Sequence, residues 1–364
     1  MINKKVFLSS SSRFEAARSI KIYPKTHKEH HLHGHSFWGS LLQKAEKEKN
    51  LNGLENYELT KNLKTIIKEL NYTHLNNKIK NPTDENIAQW INDSIGNKSV
   101  YAVGVQSTDN QGVYLSQKNK KIHIWKGFIF EAAHKLPFVE KGHKCGRMHG
   151  HSFKVVIHFH KNISPKGYLH DYMKIEKIWA PINELLNYSC LNDIKGLSNP
   201  TSELISKWIW KKIVDHLPSL SFISVYETDT CGVHFNGKNF VIWKDFTIDS
   251  AVKIDKVESR LSSVHGHTFL VRLKLSAPLN KVLGWTKDFG DIKILFDPIF
   301  KSIDHQPLYE KNEIKDSSNF NIANWLFNVT KKALPELSGI EFYESKGCGV
   351  IIDNSSANLL MPVS

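Results

Sequence analysis

The sequence predicts an α+β protein built three times over, and three observations carry that prediction. The triplet His-Gly-His stands at 33–35, 149–151 and 265–267, so 149 − 33 and 265 − 149 both equal 116. Longer landmarks keep the register. FEAAR ending at Arg18 matches FEAAH ending at His134, and NPTDENIAQWI at 81–91 matches NPTSELISKWI at 199–209, with a weaker SNFNIANWL at 318–326. Within one copy, apolar residues recur first at strand spacing, then at helix spacing, then at strand spacing again.

The second copy shows each element most clearly. The apolar run FIFEAAH leads to His134, and the next strand opens with His149 and His151. Successive strand side chains alternate faces, so these two imidazoles point the same way, on the parity of Val155, Ile157 and Phe159. Ile175, Ile178, Trp179, Ile182, Leu185 and Leu186 then recur at helix spacing. Pro200 and Thr201 start a second helix, with Thr201 as N-cap, Glu203 in the first turn, and Leu204, Ile205, Trp208 and Ile209 on the buried side. SFISVYET supplies a closing strand. Two strands, two helices and two strands make a layer in which helices cover one face of an antiparallel sheet. IWKGF at 124–128 recurs as IWKDF at 242–246, which puts the junctions in SQKNKK and FNGKN and divides the chain into 1–118, 119–238 and 239–364.

Composition bounds the setting. The chain has 364 residues, 40% hydrophobic and 23% charged, which suits a globular protein of two or three domains. No apolar run is long enough to span a bilayer, and MINKKVFLSSSS has no apolar signal core, so a cytoplasmic location is expected. Four cysteines (Cys145, Cys190, Cys231 and Cys348) make no disulfide framework, which fits a reducing compartment. The formal net charge of +13 suits an anionic substrate or partner, and equally a lysine-rich solvated surface.

The chemistry concentrates in KGHKCGRMHGHSF, residues 141–153. His134, His149 and His151 make a three-imidazole set with an open fourth position, the catalytic arrangement for zinc, and Cys145 stands beside it as a base or nucleophile. Three histidines and a cysteine could also form a closed structural site. Cys190, Cys231 and Cys348 read as small apolar packing residues. His143, His158, His160 and His170 have no assigned partner and read as structural or exposed.

FEAAHKLPF, GHKCGRMHGHSF, LNDIKGLSNPTSE and VYETDTCGV together resemble the 6-pyruvoyltetrahydropterin synthase family, and within it the bacterial 6-carboxytetrahydropterin synthase branch of queuosine biosynthesis. The resemblance implies tunnelling-fold (T-fold) modules, each a four-stranded antiparallel sheet with two helices on one face, which three at a time join their sheets into a pseudo-trimeric β-barrel. It implies Zn2+ on His134, His149 and His151, Cys145 as base, and Glu227 as the anchor of the pterin ring. An Asp-His pair that the family uses for proton transfer is missing from the second copy, which has Asn187 and Tyr188 there, and is present in the third as Asp304 and His305. The third copy also has Glu344 where the second has Glu227, but Val252 and Leu261 where the second has His134 and Cys145. In the first copy Arg18, Glu29, Asn71, Tyr72 and Ser107 replace the functional residues, so HKEHHLHGH is read as scaffold.

These losses are complementary. The resemblance places active sites at subunit interfaces, so one composite site per chain is expected, with metal and base from the second copy and the Asp304-His305 pair from the third. It implies 7,8-dihydroneopterin triphosphate as substrate, a homodimer of pseudo-trimers, and neither a membrane nor a nucleic-acid partner. The competing readings are the pyruvoyl branch, which eliminates triphosphate without losing a two-carbon fragment, and a non-catalytic pterin- or RNA-binding scaffold.

Overall fold

A computed structural model describes residues 4–45, 51, 53–96, 100–116, 121–162, 171–254, 260–314 and 316–353, which leaves His170 and most of SQKNKK outside the described residues. The first copy runs β1 (Lys5–Arg18), β2 (His33–Lys44), α1 (Glu55–Ile67), the short β3 (Thr73–His74), α2 (Asp84–Ser94), β4 (Val100–Thr108) and β5 (Gln111–Ser116). The second repeats this as β6 (Lys121–His134), β7 (His149–Asn162), α3 (Asp171–Leu186), β8 (Ser189–Cys190), α4 (Ser202–Ile213), β9 (Leu220–Thr228) and β10 (Cys231–Phe235). The third has β11 (Phe240–Val252), β12 (His265–Leu275), α5 (Phe289–Lys301), α6 (Asn319–Ala333), β13 (Leu337–Ser345) and β14 (Cys348–Asp353).

Each copy's last strand pairs with the next copy's first, β5 with β6 and β10 with β11. The third junction has no turn. There β14 pairs antiparallel with β1, from Lys5 opposite Asp353 to Ser9 opposite Gly349, and closes twelve strands into a barrel. Closure leaves none of these twelve as a sheet edge. Asn56 of α1 staples the seam, its buried amide donating to the carbonyls of Ser9 and Gly349 at 3.0 and 2.6 Å.

Strand alternation sorts residues between two sides of this wall. Phe153, Val155, Ile157 and Phe159 join a core beneath the helices, on the parity of His149 and His151 as the sequence predicts. Thr83, Thr201 and Ser318 cap α2, α4 and α6 by accepting the amide three residues on. On α3, Ile175, Trp179, Ile182 and Leu186 are buried, but Leu185 is exposed because the helix turns it away from the sheet.

The lumen side is polar and paired. Arg272 donates twice to Asp245 at 2.7 and 2.8 Å, and Lys274 and Tyr343 contact Glu341 at 3.1 and 3.0 Å. His158, assigned no partner from the sequence, is fully buried in a hydrogen-bonded chain of His123, His158, Ser224 and His234. Among the described residues, no helix is long and apolar enough to cross a membrane.

A register shift follows the penultimate part of β4, β9 and β13, and each partner strand carries a glycine beside it: Gly112, Gly232 and Gly349. A methyl on Gly349 would strike the Phe342 carbonyl oxygen, whereas one on Gly34 meets only the Ala16 carbonyl, at 3.6 Å. Gly349→Ala is therefore expected to cost about 2–4 kcal/mol in urea unfolding, and Gly34→Ala under about 1 kcal/mol.

Candidate active site

The β6–β7 hairpin sets His134 directly opposite His149, with His151 opposite Ala132. His134, His149 and His151 can bring their ring nitrogens within 4.8 Å of one another. The remaining nitrogens are fixed from outside: His134 Nδ1 lies 2.9 Å from the Pro200 carbonyl and His149 Nδ1 2.8 Å from that of Arg147. Donation from Nδ1 leaves each Nε2 lone pair turned inward. Nε2 of His134 and of His151 are buried with no hydrogen-bond partner. Burial lowers the pKa of both rings despite Glu227 nearby, which favours neutral, ligating imidazoles. Two orphaned buried nitrogens converging with a third oriented ring fit a tetrahedral metal ion with one position left open.

His149 and His151 line a cavity of about 780 Å³ at the junction of the second and third copies, with His134 behind them. Cys145 enters from a short 3₁₀ turn, Lys144–Gly146, whose Cys145 amide donates to His143 Nδ1. Burial and Glu227 push the Cys145 thiol up, outweighing Lys144, so the neighbouring lysine does not by itself favour a thiolate. Glu227, next to last in β9, has Oε1 at 3.7 Å from His151 Nε2 and Oε2 accepting from Ser202 at 2.6 Å. Trp285, Lys287, Asp288, Phe289, Lys293 and Lys244 supply the opposite wall from the third copy.

The NPTSE segment explains how the two copies dock. Asn199 donates to the Leu283 carbonyl at 2.9 Å and Thr201 to that of Gly284 at 2.6 Å. Glu203 accepts from both the amide and the hydroxyl of Thr286, at 2.7 and 2.9 Å. Burial pushes its carboxyl up to about 7. The sequence offered Glu203 only as a helix-dipole partner, and its contact across the junction could not be read from spacing. His143 was likewise missed: its Nε2 lies 3.5 Å from the Asp288 carboxylate, across the same junction.

Asp304 and His305, expected to complete the composite site, lie elsewhere on the third copy. They do not line this cavity. Asp304 Oδ1 accepts the Asp249 amide at 3.0 Å, and the His305 amide donates to the Asp249 carbonyl at 2.6 Å, which ties the pair to β11 of its own copy. Asn71 and Asn187 accept the amides of Glu15 and Glu131 in the same way, each at 2.9 Å. Tyr72, Tyr188 and His305 then share a left-handed φ of 53 to 56° and project outward. Asp304 and His305 bond to each other at 2.9 Å, and the His305 side chain is 76% exposed.

The other two clefts have diverged differently. Arg18 occupies the place of His134 and pairs with Asp84 at 2.7 Å, both fully buried. Ser107, in the place of Glu227, and Tyr172 of the second copy also donate to Asp84, at 2.7 and 2.9 Å. The cleft formed by the first copy's metal half is thus closed by an ion pair. Glu344 faces a separate, smaller cavity between the third and first copies, so of the two candidate anchors Glu227 is the one beside the three imidazoles.

Three four-stranded, two-helix modules closed into one barrel, with clefts at their junctions, define a tunnelling-fold protein. The sequence profile of the 6-pyruvoyl tetrahydropterin synthase family matches residues 7–117, 123–238 and 241–355, and the chain belongs to that family as three tandem copies. A Synechocystis protein named 6-carboxy-5,6,7,8-tetrahydropterin synthase is 36% identical over 119 residues, 31% of this chain and 91% of its own. A Pyrococcus furiosus protein named dihydroneopterin monophosphate aldolase is 33% identical over 107 residues, 29% of this chain and 88% of its own. The structure of Caenorhabditis elegans 6-pyruvoyl tetrahydropterin synthase aligns with a TM-score of 0.31 at 18% identity, over 32% of this chain and 96% of that one.

Two measurements test this anatomy. Arg18→Met strands a buried carboxylate at Asp84 and is expected to cost about 3–5 kcal/mol, more than Arg18→Met combined with Asp84→Asn. Glu203 has a folded pKa above its ordinary value, so its ionisation opposes folding, and stability should fall as pH rises from about 4.5 to about 7. Glu203→Gln is expected to flatten that part of the stability profile.

Proposed function

We propose that the chain is a zinc-dependent lyase of the 6-carboxy-5,6,7,8-tetrahydropterin synthase type, serving queuosine biosynthesis in the cytoplasm. It would convert 7,8-dihydroneopterin triphosphate and water to 6-carboxytetrahydropterin, acetaldehyde and triphosphate. The observation that carries this reading is a cluster of three converging imidazoles, two of them with buried unpartnered nitrogens, opening through His149 and His151 onto a cavity shared with Cys145 and Glu227. Glu227, oriented by Ser202, accepts the paired N–H donors of the pterin edge. His134, His149 and His151 would hold the zinc ion, which would supply Lewis-acid stabilisation of charge developing on side-chain oxygens. Cys145 would remove the side-chain proton; burial and Glu227 hold its thiol above the ordinary value, and Lys144 is the neighbour that acts against them. Lys244, Lys287 and Lys293 of the third copy, with Lys144 and Arg147, suit the triphosphate.

The Asp304–His305 pair enters this scheme through a second chain. The barrel end that carries His134 and His149 also carries Tyr188, and the corresponding ends of the other copies carry Tyr72 and His305. Leu32, Met148 and Val264, each just before a His-Gly-His, are 52–64% exposed there, and Tyr72 and Tyr188 are 83–84% exposed. An apolar ring repeated in all three copies suits a face-to-face homodimer. In such a dimer His305 of the partner subunit, its pKa raised by its hydrogen bond to Asp304, would serve as the proton carrier.

The test is incubation of zinc-loaded protein with 7,8-dihydroneopterin triphosphate and identification of products by mass. Acetaldehyde and triphosphate together are expected. Triphosphate without aldehyde would replace this reading with the pyruvoyl type, and a phosphorylated aldehyde with aldol cleavage. No turnover, combined with RNA binding that weakens steeply with salt, would favour the scaffold reading. Cys145→Ala is expected to lower kcat by about 10²-fold or more. Metal analysis should find one tightly held zinc per chain, and three would contradict the reading of the first and third copies.

A further inference from the structure

The cleft between the third and first copies has lost one of its three metal-ligand histidines and its base position, keeps His265 and His267 in its lining, and is not filled. It encloses about 280 Å³. Glu344 occupies in it the place that Glu227 occupies in the candidate active site, and its carboxylate is oriented by the same device. Asn319, the first residue of α6, donates to Glu344 Oε2 at 2.8 Å, as Ser202, the first residue of α4, donates to Glu227 Oε2 at 2.6 Å. Among the described residues no lysine or arginine pairs with Glu344, in contrast to Asp84, which Arg18 neutralises. One carboxylate oxygen therefore remains available to a ligand.

The surroundings define what that ligand can be. Val252 and Leu261, standing where the second copy has His134 and Cys145, give the cavity an apolar wall. Tyr57 of the first copy lines it with its side chain half exposed, as Trp285 and Phe289 of the third copy line the larger cavity. A planar ring can stack on that phenol while its edge meets the carboxylate. Lys64 is the one cation among the lining residues, against five in the larger cavity. The volume is at the lower end for ligand pockets, which suits a bicyclic heterocycle without a polyphosphate tail.

We propose that the third-to-first cleft is a second, non-catalytic binding site for a 2-amino-4-oxopteridine that lacks the triphosphate chain, anchored by Glu344 and covered by Tyr57. This rests on the pterin reading of the active site. The probe is unsubstituted pterin, titrated calorimetrically into the zinc-loaded full chain. Two sites per chain are expected. Glu344→Gln should abolish one, and Glu227→Gln the other. Tyr57→Ala should weaken the Glu344 site at least about tenfold. Leu261→Trp, which fills the cavity without touching Glu344, should also leave one site, and it guards against misfolding of the charge variant. Chelation of the metal should leave the Glu344 site unchanged. One site in the parent chain, lost in Glu227→Gln and kept in Glu344→Gln, would overturn this proposal while leaving the pterin reading intact. No binding at either glutamate would overturn the pterin reading itself.

Discussion

The antiparallel pairing of β14 with β1 is the constraint on which the rest depends. It turns a row of three modules into a ring, and the clefts discussed above form where one module's metal half meets the next module's first helix. Without it the third copy would have no neighbour on one side, and β1 and β14 would each expose a row of unpaired peptide groups. The seam buries Val6, Leu8, Val350 and Ile352 in the common core and is stapled by Asn56, so a joint with no covalent turn is made as secure as the two that have one.

Because the three clefts lie on one chain, each could change without imposing the change on the others. They have reached three end states. The second-to-third cleft keeps convergent imidazoles, a thiol and an oriented carboxylate. The cleft of the first copy's metal half has exchanged histidine for arginine and glutamate for serine, and Asp84 has taken up the acid's place one helix away. The carboxylate and the hydroxyl have traded positions there, which keeps their hydrogen bond while Arg18 supplies the charge that a metal would have supplied. The third-to-first cleft has exchanged one histidine and the cysteine for valine and leucine but kept His265, His267 and an acid facing open space.

Much of the fold could be read in the chain because its cues are local and repeated. The 116-residue register, the strand parity of His149 and His151, and the capping threonine at 201 each depend on neighbours in sequence. The convergence of His134 with His149 was legible for the same reason, since one hairpin sets both. What crosses a module boundary was not. Glu203 reaching Thr286, His143 reaching Asp288, and Lys244 and Trp285 facing Cys145 follow from how modules dock, and no periodicity encodes that. Asp304 is hard to read for a different physical reason. Its carboxylate makes a backbone contact that Asn71 and Asn187 make equally well, so the change from aspartate to asparagine is structurally neutral and says little about where the following side chain points.

The histidine chain in the lumen has a consequence of its own. His123 Nε2 faces His158 Nδ1, His158 Nε2 faces the Ser224 hydroxyl, and that hydroxyl faces His234 Nδ1, at 2.8 to 2.9 Å throughout. Each link admits one proton, so the tautomer chosen at His234 dictates the tautomer of every ring behind it. The row behaves as a single array with two polarities, not as three independent bases. A further proton on an interior ring would set two donors against each other and break a link. Burial holds all three rings well below the ordinary imidazole pKa, so the unfolded chain takes up protons first as pH drops below about 6.5, and the barrel loses stability in that direction.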